Sequence, residues 1–303
     1  MKKLTALLAV FLCLNIVPVQ AAQPKTMVLI DNAVDMSIPT INSSVIYEVC
    51  YSWNGSCPNK KTSMEGTGAA TVSTTLFKDS NWNHGTEVAS AAIQTDPNVK
   101  IIFIRCGTYL LSNNAYSGCN VGDIKNALDW VYINKDKFNI GAVVSPLGTT
   151  VPTGGTTQVP CDTSAVYVSS INKLTSVGTA VIFPTGNNYN YTSIVSPACV
   201  PGVLAISAID NMGRLALYAN YSSRVDFASE GNLNVLIPGG FIKSDFGTSL
   251  SVATFGAKWL KILNQKNLSY TDEYNLIKNT SITYTNIMVK KNVLAINIVK
   301  ALQ

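Results

Sequence analysis

An α/β fold, with a largely parallel sheet and helices on both faces, is what this sequence predicts, and three observations carry that reading. Short apolar runs at 27–30, 141–144 and 180–183 lack the alternation of a half-solvated strand, as strands covered on both faces do. Between them lie helical patterns: Ile124, Ala127, Leu128, Val131 and Tyr132 follow the i, i+3, i+4, i+7, i+8 spacing of an amphipathic helix. Residues 249–263 are apolar nearly all round, with Leu250, Val252, Phe255, Trp259, Leu260 and Leu263, which describes a helix buried through the middle of a domain. Strands alternating with helices of this length imply a parallel sheet.

The chain opens with Lys2-Lys3, a mostly apolar run over 4–17 and the small-residue site Val19-Gln20-Ala21. These are the parts of a signal peptide, residues 1–21, cut after Ala21. The run is too short to span a bilayer, and Phe11-Leu12 before Cys13 is a poor lipoprotein site. Residues 22–303 are expected to form one domain with no recognisable pro-region. No later run approaches membrane-spanning length, so the expectation is a secreted monomer, extracellular or periplasmic, without a membrane partner.

The first strand, 27–30, closes at Asp31. Residues 42–83 are polar and rich in Gly, Ser, Thr and Asn, and read as a long loop pinned by a disulfide. A helix begins at His84, with Val88, Ala89, Ala92 and Ile93 at helical spacing. A strand over 100–105 follows, then the helix around 124–132 and the strand 141–144, which turns at Ser145-Pro146-Leu147-Gly148. A Gly/Thr/Pro loop over 149–158 leads to a helix at 164–177. The strand 180–183 ends at Pro184-Thr185-Gly186-Asn187, strands at 203–207 and 224–228 come next, and Ser249 opens the buried helix.

Charged residues make up only 13% of the chain. Removing Lys2 and Lys3 with the leader takes the formal charge from +5 to +3, too weak and dispersed to imply a nucleic-acid partner. Cys50, Cys57, Cys106, Cys119, Cys161 and Cys199 remain, an even number that predicts disulfides in an exported chain. Chain proximity favours Cys50–Cys57 and Cys106–Cys119, leaving Cys161–Cys199. A zinc site lacks a CxxC pair and a spare histidine. No cofactor is expected. A structural calcium has no identifiable position, since Asp35, Asp79 and Asp96 read as solvated loop acids.

His84 is the only histidine, and imidazole is the usual proton shuttle near neutral pH. A serine hydroxyl needs such a base to take its proton, and the base needs a carboxylate to fix its tautomer. Asp31 at a strand end and Ser249 at a helix start supply both groups. A helix N-terminus also offers unpaired N–H groups to a developing oxyanion, and Asn187 adds a side-chain N–H. The order Asp, His, Ser differs from that of α/β-hydrolases and of chymotrypsin-like enzymes. An HExxH metallopeptidase needs two histidines.

Val28-Leu-Ile-Asp31-Asn-Ala-Val34, His84-Gly-Thr-Glu-Val-Ala89 and Gly247-Thr-Ser249-Leu-Ser251 resemble the Asp, His and Ser motifs of the subtilisin-like (subtilase) serine peptidases, peptidase family S8. Phe183-Pro-Thr-Gly-Asn187 resembles the strand carrying the family's oxyanion-hole asparagine. Ser196-Pro-Ala-Cys-Val-Pro-Gly-Val-Leu-Ala-Ile-Ser-Ala-Ile-Asp210 resembles the segment after it, with Pro197 as the cis proline. The end of the chain, Asn292-Val-Leu-Ala-Ile-Asn-Ile-Val-Lys-Ala-Leu302, is similar to the family's. The resemblance implies a subtilisin-like fold and an endopeptidase acting through Asp31, His84, Ser249 and Asn187. Its polypeptide substrate would lie extended between Leu147-Gly148 and Ser117-Gly118, with Val195 on the wall of the primary pocket and broad specificity as the default. Ala33, Pro146 and Ala253 depart from the family's usual residues, as does Glu87, which stands where many members carry a second histidine and reads as a solvated first-turn acid. The rival readings are an inactive fold that binds peptides, and a lipase or esterase.

Overall fold

The computed structural model describes residues 23–303 apart from 111, 114, 149–152, 154–159 and 287–290. The leader at 1–21 lies outside the described residues, as does nearly all of the loop at 149–158.

The elements run β1 (Thr26–Asp31), α1 (Pro39–Ser44), β2 (Val45–Tyr51), β3 (Ser63–Glu65), α2 (His84–Thr95), β4 (Ile101–Arg105), β5 (Gly107–Tyr109), β6 (Tyr116–Cys119), α3 (Val121–Asn134), β7 (Ile140–Val144), α4 (Val168–Ser176), β8 (Ala180–Pro184), β9 (Leu204–Ile209), β10 (Phe227–Glu230), β11 (Asn232–Ile237), β12 (Phe241–Phe246), α5 (Thr248–Lys266), α6 (Tyr270–Thr280), β13 (Ile282–Asn286), β14 (Lys291–Ala295) and α7 (Ile298–Leu302). The main sheet has the order β13-β14-β10-β9-β8-β7-β1-β4-β2-β3. It is parallel from β14 to β2, and only its outermost strands β13 and β3 pair antiparallel.

Alternation along each strand divides the core. Met27 and Leu29 of β1 face one layer with α2 and α5, and Val28 and Ile30 face the other with α3 and α4. By the same period of two, Asp31 falls on the α2–α5 side. The chain builds outward from β1 to β2 and β4 on one side, then returns to lay β7 on the other. The carboxyl end of β1 therefore lies at the point where strand order reverses, where open α/β sheets hold their sites. α5 crosses the strands β7 to β10. It packs so closely that a Cβ on Gly256 would lie 2.5 Å from Val144 Cγ2.

All three disulfides follow chain proximity: Cys50–Cys57, Cys106–Cys119 and Cys161–Cys199, with Cα separations of 5.9, 4.9 and 5.7 Å. The Ser196–Pro197 peptide is cis. The segment 42–83 is not the loop the sequence predicts. It holds the end of α1, the inner sheet strand β2 and the short β3. Glu48 makes β2 look polar, yet its buried carboxylate accepts the Gly68 and Ala70 N–H groups at 2.9 and 3.0 Å. A charge satisfied by two backbone donors fits an interior strand.

Two boundaries also shift. α4 begins at Val168 rather than 164, and the strand expected at 224–228 is β10, starting at Phe227. Arg224 stays outside it, pairing with Asp226 at 2.6 Å and donating to the Val200 and Val203 carbonyls. The hairpin β11–β12, unforeseen, turns at Pro238-Gly239-Gly240, where the glycines take φ of +88° and +79°. Apolar runs flanking a Pro-Gly-Gly turn were the signal for it.

Candidate active site

Asp31 is fully buried at the end of β1, and both of its carboxylate oxygens lie 2.9 Å from His84 Nδ1. With Nδ1–H donating, the lone pair is at Nε2. Asn32 ties the strand end to the helix that carries the imidazole. Its Oδ1 accepts the Ala33 and Gly85 N–H groups at 2.6 and 2.9 Å, and its Nδ2 donates to the Asn81 carbonyl. Gly85 is needed for this contact, since a Cβ there would sit 2.2 Å from the Ala33 carbonyl oxygen and 2.7 Å from Phe103 Cζ.

The His84 side chain is 34% exposed. Burial disfavours its charged form, but the Asp31, Glu87 and Asp245 carboxylates, Asp31 foremost, together outweigh that, so its pKa rises above the ordinary 6.5. Glu87 is not the solvated acid the sequence predicts. It is 5% exposed and paired to Lys243 Nζ at 3.1 Å, and the same ammonium reaches Asp245 Oδ2 at 2.8 Å. The hairpin that delivers Lys243 packs directly on α2, which is why a first-turn carboxylate loses its water.

Ser249 is the second residue of α5 and partly exposed. Its hydroxyl donates to the Pro146 carbonyl at 3.3 Å, and not to His84. Asn187 is exposed just after Gly186, yet its amide orientation is fixed, because the Thr248 N–H and hydroxyl donate to Oδ1 at 2.9 and 2.8 Å. The amide nitrogen is left beside the start of α5, 3.3 Å from where a Cβ on Gly247 would stand. Asn220, missed in the sequence, holds this turn. Fully buried, it accepts the Asn188 and Asn190 N–H groups at 2.9 and 3.0 Å and donates to the Thr185 carbonyl at 3.1 Å.

Leu147 and Gly148 follow the carboxyl end of β7, while Gly118 pairs with Thr108 in the small β5–β6 sheet beside exposed Ser117. Val195 is 3% exposed and wedged between two glycines. Cβ atoms on Gly148 and Gly186 would meet its methyls at 2.5 and 2.6 Å. Asp35, Asp79 and Asp96 accept backbone N–H groups rather than standing as free acids. Asp35 accepts from Ser37 and Gly239, Asp79 from Asn81 and Asp96 from Asn98. Among the described residues no three metal-ligating side chains converge, and no helix is long and apolar enough to cross a membrane.

Comparison with known proteins shows what the chain is similar to. Over 151 residues the chain is 29% identical to a thermophilic serine proteinase of Bacillus sp. (strain AK1), a match covering 49% of this chain and 34% of that one. It is 24% identical over 223 residues to the minor extracellular protease Epr of Bacillus subtilis (strain 168), covering 72% of this chain and 32% of the relative. The chain thus spans about a third of the length of these curated relatives. Its fold matches the crystal structure of the nisin leader peptidase NisP from Lactococcus lactis with a TM-score of 0.68 at 14% identity, over 93% of this chain and 88% of that one. The subtilase family model matches residues 25–284. By that match, with Asp31 and His84 joined where strand order reverses, the chain belongs to the subtilase family.

Proposed function

We propose that the protein is a secreted serine endopeptidase, exported by the leader at 1–21. Ser249 attacks the scissile carbonyl, while His84 takes the hydroxyl proton as base and returns it to the leaving amine as acid. Asp31 holds the Nδ1–H tautomer and stabilises the imidazolium. The Ser249 N–H and the Asn187 amide receive the oxyanion. What carries this reading is the single imidazole, bound at Nδ1 by a buried carboxylate. Polypeptide substrate would add as an extended strand along Leu147-Gly148 and Ser117-Gly118.

One observation favours the other reading, an inactive fold that binds peptides: the Ser249 hydroxyl is turned to Pro146. Catalytic hydrogen bonds commonly tighten only with substrate, so this orientation of the hydroxyl does not by itself exclude the peptidase. A fluorophosphonate probe decides between them. Labelling that disappears in Ser249→Ala supports the peptidase, and an unlabelled but folded wild-type protein supports the binding module. Casein digestion separates a peptidase from a lipase or esterase, which would turn over a p-nitrophenyl ester and leave casein intact.

Val195, filling the space between Gly148 and Gly186, leaves a shallow primary pocket in this reading. Cleavage-site profiling on a mixed peptide library is expected to return small and medium apolar P1 residues. A dominant aromatic P1 would remove Val195 from the pocket wall.

A further inference from the structure

Lys243 and Ser249 lie on one continuous piece of chain, β12 running into α5, while Glu87 sits one turn beyond His84 on α2. Lys243 Nζ joins the two pieces, at 3.1 Å from Glu87 Oε1 and 2.8 Å from Asp245 Oδ2. Carboxylate, ammonium and carboxylate thus form a row that starts one turn along α2 from His84, and neither acid serves the chemistry assigned above. Such a row either merely fastens the hairpin to the helix or also sets the electrostatic potential at His84.

Position and charge favour the second role. Glu87 is 5% exposed, so its charge acts through poorly screened surroundings. The carboxylates acting on the ring are Asp31 from β1, Glu87 from α2 itself and Asp245 from β12, and Lys243 of β12 pairs with the last two. The Asp31 carboxylate also helps to push up the Tyr116 phenol of β6, after burial. The three carboxylates all favour the imidazolium, and Lys243 is the one cation set against them in this group.

We propose that Lys243 is a positioning residue that sets the acid limit of catalysis, by offsetting Glu87 and Asp245 so that His84 is released as free base at lower pH. This rests on the peptidase reading only for its consequence; the electrostatic part holds for the fold itself. Catalysis needs the neutral ring, so activity grows as pH rises through the His84 pKa, and whatever favours the imidazolium moves that limb upward. Removing Lys243 leaves half-buried Asp245 unopposed and moves it up. Removing the Glu87 charge moves it down. At this spacing each change is expected to be about half a pH unit.

Because His84 is the only histidine in the chain, an NMR titration of its imidazole in a Ser249→Ala background reads the effect without activity or autolysis. Lys243→Met is expected to raise the titration midpoint, Glu87→Gln to lower it, and Lys243→Arg to leave it near the parent value. In about 1 M salt the Lys243→Met difference should shrink, since that side chain is exposed and its charge is screened. If Lys243→Met and Glu87→Gln titrate with the parent while near-UV circular dichroism shows intact folds, the row is a fastening only and the proposal is overturned. In the active enzyme the acid limb of kcat/KM is expected to move in step. An inactive parent protein whose imidazole still shifts would sink the peptidase reading and leave this one standing.

Discussion

Replacing Asp31 with asparagine is expected to lower kcat/KM by about four orders of magnitude, with little change in the fold. The side chains are nearly isosteric, so the backbone contact from Asn32 N–H to Asp31 Oδ1, 2.7 Å long, survives. What changes is the proton. An amide turned to accept from Nδ1–H cannot stabilise the imidazolium that forms during attack, and one turned to donate forces the lone pair onto Nδ1, leaving Nε2 protonated and useless as a base. The pH response separates this from a folding defect. Burial alone depresses the imidazole pKa, and Asp31 is the main group that raises it. In Asp31→Asn the ring should therefore titrate lower than in the parent, so it is neutral over a wider pH range and still inactive. Raising the pH would not restore the rate.

Stability should move the opposite way with pH. The His84 pKa is raised in the folded state, so the protonated ring stabilises the fold fully below the ordinary 6.5, and that contribution fades as pH rises through the folded value. Thermal unfolding of parent and Asp31→Asn should accordingly converge as pH increases. Kinetics and melting curves across pH 5 to 10 test both parts. An Asp31→Asn enzyme within about tenfold of the parent would mean the carboxylate does not orient the base.

The residues proposed to react stand out in the sequence because each sits where a regular element begins or ends. Asp31 closes an apolar strand, His84 and Ser249 open helices, and Asn187 follows a buried strand, so periodicity alone places them at the edge of the sheet. The residues that hold them were not legible. Asn32 and Asn220 look like ordinary polar loop residues, and only the backbone N–H groups brought to them by folding show their work. Glu87 and Lys243 are separated by more than half the chain, so nothing local announces their pairing. Glu48 misled in the same way, since a charged residue in a short strand reads as loop until its two backbone donors are seen. Side chains proposed to react stand out by position along an element. Side chains that support were betrayed only by contacts across the fold.

Asn187→Ala is expected to lower kcat by about a hundredfold to a thousandfold, or about 2.7–4 kcal/mol of transition-state stabilisation, while KM changes little. The argument turns on which end of the amide is already committed. Thr248 donates to Oδ1 through both its N–H and its hydroxyl, so the amide cannot flip, and its N–H groups are the ones left for substrate. An oxyanion exists only during reaction, so losing this donor should affect turnover far more than binding. The side chain is exposed, and truncating it opens no core cavity, so the melting temperature should stay near that of the parent. Thr248→Val offers the complementary test. It removes the hydroxyl at 2.8 Å and keeps the N–H at 2.9 Å, so Asn187 is loosened rather than lost and the fall in kcat should be smaller. Should Asn187→Ala turn over peptide at the parental rate, the oxyanion would have to be held by backbone N–H groups alone. An equal rise in KM with unchanged kcat would instead assign Asn187 to ground-state binding.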